Sequence, residues 1–107
     1  MNIIQVKGNV DWRAQRDPVT GWWVAECPAL KLCTTAETWR ELHENSVEAI
    51  DLLMQEMLTT GDLNKFLKDH GWQLKTKIPL KPQRLRFDVP FRMTPRNERH
   101  SPQAALC

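Results

Sequence analysis

The stretch from Thr34 to Leu58, TTAETWRELHENSVEAIDLLMQEML, constrains the fold more than any other part of the chain. From Thr38 on, Trp39, Leu42, Ala49, Ile50, Leu53, Met54, Met57 and Leu58 recur at three- and four-residue steps, with Arg40, Glu41, Glu44, Glu48, Asp51 and Gln55 between them. That period predicts an amphipathic helix with one face to bury. Thr38, with Glu41 three residues on, offers a hydroxyl and a carboxylate to the unpaired N–H groups of a first turn, and Gly61 marks the end. A helix of roughly five turns cannot shield its own apolar stripe. It needs a sheet to lie on, and the β-forming residues before it supply one.

Residues 5–15 are expected to form the first strand, with Val10, Trp12 and Ala14 alternating against Asp11, Arg13 and Gln15. Arg16 to Gly21 carries the Asp, Pro and Gly of a tight connection, so an antiparallel partner follows at Trp22 to Cys27, stopped by Pro28. In period two, Trp22, Val24 and Glu26 share one face and Trp23, Ala25 and Cys27 the other. One of the two tryptophans must then point away from the helix, where either a second subunit or partner covers it or the ring lies over its own loop or neighbouring strand. Leu30 to Thr35 reads as a third strand leading into the helix.

After Gly61, Asp62 is expected to cap a short second helix, Leu63 to His70, closed by Gly71, with His70 favoured at the helix C-terminus. A fourth strand is expected over Trp72 to Ile78. Leu85 to Arg92 alternates again, but Pro90 confines it to an edge strand or an extended arm. The expected architecture is therefore α+β: a three-stranded antiparallel sheet, one long helix and a further strand (βββαβ), with a short second helix and an extended C-terminal arm. Its expected divisions are an α+β domain over 1–78, a basic arm or edge strand over 79–93, and a disordered tail over 94–107.

The 107 residues suffice for one domain with a modest core. At 41% hydrophobic and 26% charged, the chain has the composition of a soluble globular protein rather than of a disordered one. No apolar run reaches the roughly 18 residues of a membrane span, and a cytoplasmic protein without a membrane partner is expected. Cys27, Cys33 and Cys107 hold no Cys-x-x-Cys pair, which points away from a zinc knuckle. The net charge of +2 hides a division: through Asn64 there are five basic and ten acidic residues, and from Lys65 on ten basic and three acidic. A basic C-terminal part either draws polyanions, or the acidic half of a second copy, or is simply a solvated surface with a loose tail.

The arrangement Trp22-Trp23-Val24-Ala25-Glu26-Cys27-Pro28-Ala29-Leu30, then Cys33-Thr34-Thr35-Ala36-Glu37-Thr38, then Glu41-Leu42, Asn45 and Glu48-Ala49-Ile50 resembles the HicB-type antitoxins of bacterial toxin–antitoxin systems. The likeness covers about residues 5–78. Lys31-Leu32 stands where that family has Pro-Gly, Ala36-Glu37-Thr38 where it has Gly-Asp-Thr, and Leu42 where a small residue is usual. The resemblance implies a partial ribonuclease-H-like fold, assembly into dimers or larger species, and binding of a HicA-type toxin ribonuclease. Many such proteins also carry a C-terminal helix-turn-helix or ribbon-helix-helix; here Pro79, Pro82 and Pro90 fall where a recognition helix would run.

Ribonuclease-H chemistry needs several carboxylates on paired Mg²⁺ ions. Asp11 with Glu48 or Asp51 supplies two, and the WQLKTKI stretch supplies none, so no enzyme, no metal and no cofactor is expected. Cysteine nucleophilic catalysis would need a base such as His43 near Cys33, but cysteines in apolar strands are usually core. The expected function is a non-catalytic interaction protein that binds itself and a partner protein through Trp22, Trp23, Phe87 and Phe91. The alternative is a small nucleic-acid-binding subunit using Lys75, Lys77, Lys81, Arg84, Arg86 and Arg92 of the basic arm.

Overall fold

The computed structural model describes residues 2–78 and 84–95. In chain order the elements are β1 (Asn2–Lys7), β2 (Val10–Arg16), β3 (Trp23–Cys27), β4 (Leu32–Ala36), α1 (Trp39–Thr60), α2 (Leu63–His70), β5 (Gln73–Leu74), β6 (Leu85–Asp88) and β7 (Phe91–Pro95). The fold is α+β, with two sheets where one three-stranded sheet and one further strand were expected. One sheet has the order β5-β1-β6 and the other β4-β3-β2-β7. The chain forms two compact units. One holds β1, α2, β5, β6 and α1 from Ile50 on; the other holds β2, β3, β4, β7 and α1 through Ala49.

In the second unit β2, β3 and β4 form the expected antiparallel meander, and β7 lies parallel to β2 with Val10 opposite Phe91. The connection from β2 to β3 closes as its residues predict. Asp17 N–H donates to Trp22 O and Gly21 N–H to Asp17 O, both at 2.8 Å, while Asp17 Oδ1 accepts from Val19 N–H. Gly21 takes a φ of 75°, which a side chain would resist. Val10, Trp12 and Ala14 on β2 are buried, as are Ala25 and Cys27 on β3. The Trp12 ring meets Phe91 edge-on at 6.5 Å and 66°.

Thr38 caps α1 as expected, its Oγ1 accepting from Glu41 N–H at 3.1 Å. Along the helix Leu42, Ser46, Ile50 and Met54 form the buried line, while Trp39 is exposed. Ser46 satisfies its hydroxyl by donating to Leu42 O at 2.8 Å, so a polar residue occupies a core position at little cost. The second helix is capped differently from expectation. Asp62 lies in the helical region with no side-chain cap, and its Oδ2 accepts instead from Thr60 Oγ1 at 3.0 Å. At the other end Gly71 turns left-handed, and His70 Nδ1–H donates to Phe66 O at 2.9 Å.

In the first unit β1 pairs antiparallel with β5 and parallel with β6. The expected first strand is broken at Gly8 and Asn9. A Cβ on Gly8 would lie 2.7 Å from the Trp72 indole, so only glycine lets the ring approach this closely. The expected strand over Trp72 to Ile78 is shortened to Gln73–Leu74. Past it, Gln5 N–H turns to Thr76 Oγ1 at 3.4 Å, a side chain taking the place of a ladder carbonyl. Residues 85–95 are not a detached arm: they are the end strands β6 and β7, interrupted at Val89 and Pro90, whose ring nitrogen has no hydrogen to donate. Thr94 and Pro95, expected in the tail, belong to β7, and the rest of that tail lies outside the described residues.

Gly8→Ala is expected to lower stability by about 1–3 kcal/mol, the usual cost of overpacking a filled contact. Denaturant melts of the two proteins measure it. An unchanged midpoint would mean that Trp72 does not lie against Gly8.

Candidate functional site

Three of the five tryptophans, Trp22, Trp23 and Trp39, lie at one end of the four-stranded sheet. Register places Arg16, Trp23 and Ala36 side by side on β2, β3 and β4. Side chains opposite one another in a sheet share a face. The Trp23 ring meets Trp39, the first residue of α1, at 4.8 Å and 75°, and the Arg16 guanidinium lies 5.2 Å from the Trp23 centroid. This is an edge-to-face pair with a cation over one ring, a contact with preferred geometry. Trp39 remains 36% exposed and Trp22, one residue before β3, 43% exposed. Of the adjacent pair, Trp23 faces α1 and Trp22 is the one left in solvent.

Phe91 is half-buried, between the Trp12 edge and the His43 ring at 4.8 Å. Phe87 is only 1% exposed and its ring belongs to the core, so it is not a surface contact. Trp39 and Arg16 were missed as site residues. The signal for Trp39 was its place on the first turn, where an apolar stripe runs past the core it covers.

The basic residues divide. Lys75, Lys77, Arg84 and Arg86 are exposed in the unit of β5 and β6, Arg92 is exposed on β7 in the other, and Lys81 lies outside the described residues. In the first unit a cleft of about 520 Å³ is lined by Lys7, Gly8, Asn9, His70 and Trp72, among others. The rings of Phe66, His70 and Trp72 cluster there, with Phe66 and His70 at 4.1 Å.

The carboxylates weighed for metal chemistry are placed otherwise. Asp11 and Glu48 are exposed, and Asp51 accepts hydrogen bonds from Phe87 N–H at 2.7 Å and Gln55 Nε2 at 3.0 Å, which gives it a structural task. Among the described residues no group of three His, Cys, Asp or Glu side chains could hold a metal ion. Burial pushes the Cys27 thiol above its ordinary range and the Asp11 charge adds to the rise, while Leu30 and Ala29 backbone hydrogen bonds oppose it. A thiol held protonated is a poor nucleophile. His43 packs on Phe91.

No helix among the described residues is long and apolar enough to cross a membrane. No family model matches the chain, nor does any curated protein or solved structure.

Proposed function

We propose that the chain is a non-catalytic, HicB-like antitoxin or regulatory subunit that assembles with itself and holds a partner protein, neutralising a HicA-type ribonuclease by covering its RNA-binding surface. The observation that carries this reading is the aromatic rim of Trp22, Trp39 and Trp23 with Arg16, open to solvent at the end of a sheet whose last strand is β4. Tryptophan and arginine are the residues that most often dominate binding energy at protein interfaces. In one unit β2, β3 and β4 form an antiparallel meander that runs into α1, which is part of the order the sequence resemblance implies.

Sedimentation of the pure chain, and inhibition of a HicA-type ribonuclease by it, test the reading. The wild type should sediment as a dimer or larger and inhibit the toxin. Trp22→Ser with Trp39→Ser should weaken inhibition about thirty-fold, the loss of one hot spot worth ~2 kcal/mol, with the circular dichroism unchanged. A monomer that leaves the ribonuclease untouched would overturn it.

A further inference from the structure

Alternation and register together place a set of side chains on the outer face of the β5-β1-β6 sheet. On β1, Ile4 and Val6 are buried, so Ile3, Gln5 and Lys7 point the other way. On β6, Arg86 lies opposite Ile3 and Asp88 opposite Gln5; on β5, Gln73 lies opposite Lys7. Lys75 continues that register, its N–H donating to Gln5 O at 2.7 Å. All of these side chains are exposed, Ile3 by 54%. Lys77 and Arg84, just beyond the strand ends, are exposed as well.

The charge on these segments is one-sided. Residues 2–7, 73–78 and 84–88 carry Lys7, Lys75, Lys77, Arg84 and Arg86 against a single acid, Asp88. None of the five cations forms an ion pair among the described residues, where the salt bridge is Arg40 to Glu44. An ordinary solvated face intersperses both signs, because like charges at strand spacing repel. Side chains two apart along a strand are ~6.6 Å apart and neighbouring strands ~4.8 Å apart, so these cations make a track rather than a point. A track of ammonium and guanidinium groups complements a chain of phosphates.

We propose that this sheet face binds single-stranded nucleic acid, with Lys7, Lys75 and Arg86 on its phosphates and Gln5 and Ile3 beneath the bases. The face is built of strands, and a convex duplex would touch few of its side chains at once. A single strand can bend to follow them. The inference does not depend on the antitoxin-like reading, which concerns the tryptophan rim of the other unit.

Fluorescence anisotropy of labelled 20-nucleotide oligouridylate and oligothymidylate, at several salt concentrations, is the test. Binding should weaken with salt with a log–log slope of about −2, that of three phosphate contacts on a single strand. Lys75→Glu with Arg86→Glu should weaken binding at least tenfold at low salt and flatten the slope by about 1.4. Asp88→Asn should tighten it several-fold, and Trp22→Ser with Trp39→Ser should leave it unchanged. Binding without salt dependence, a duplex of the same length held more tightly, or charge-reversed protein that binds like wild type would each overturn the proposal. So would self-assembly at low salt that the charge reversal abolishes while neither oligonucleotide binds, since the occupant would then be a second copy.

Discussion

Trp12→Ala is expected to destabilise the protein by about 3–5 kcal/mol, the range for truncating a fully buried large aromatic. Trp12 is wholly buried on β2, in line with Val10 and Ala14, and its ring contacts Phe91 of the parallel strand β7. Removing the indole takes away both its own burial and the surface on which Phe91 rests. Against a typical total of roughly 5–15 kcal/mol, such a loss leaves much of the population unfolded at moderate urea. Trp12→Phe should cost far less than the alanine change. The indole Nε1 has no hydrogen-bond partner among the described residues, and removing a buried unpaired donor returns about 1–3 kcal/mol against the volume lost. Urea denaturation of the three proteins, followed by circular dichroism, supplies the midpoints. If alanine and phenylalanine cost the same, the interior at Trp12 is not packed as described.

What the chain announced was local. The Thr38 cap, the Asp17 to Gly21 connection and the left-handed Gly71 each depend on residues within a turn of one another, and each forms as its sequence implies. Apart from the Asp62 cap, lost to Thr60 two residues away, what it concealed depended on partners far along the chain. The break after Lys7 becomes intelligible only beside Trp72, whose ring occupies the space where a Cβ on residue 8 would stand. Alternation through Leu85 and Phe87 was visible, but not which side would be sealed, so Phe87 was taken for a surface contact and is in the core. Tertiary context, not local preference, decides such choices.

The same division holds for the surfaces. The adjacent tryptophans stood out because period two forces them to opposite faces, and Trp22 is the one left in solvent. Trp39 belonged by spacing to the buried stripe of the long helix, yet it shares a contact with Trp23 and stays partly open. Lys7 could not be grouped with the C-terminal cations at all. Only the pairing of β1 with β5 and β6 brings an N-terminal lysine alongside Lys75 and Arg86.

Asp51→Ala is expected to cost about 2–3 kcal/mol, although its position between apolar helix residues reads as an ordinary solvated face. Its Oδ1 accepts from Phe87 N–H at 2.7 Å across 36 positions of sequence, and its Oδ2 from Gln55 Nε2 at 3.0 Å. Gln55 Nε2 also donates to Leu85 O at 3.0 Å, so two helix side chains together hold the backbone of β6. Hydrogen bonds to a charged group contribute about 1.5–3 kcal/mol, and alanine would also leave the Phe87 N–H unpaired beside the core. Asp51→Asn keeps an oxygen for Phe87 but turns an amide toward Gln55, where two donors cannot pair, so it should fall between wild type and alanine. Urea midpoints rank the three, and hydrogen exchange at the Phe87 amide locates the effect. Loss of stability with no faster exchange there would mean that the carboxylate acts elsewhere than on β6.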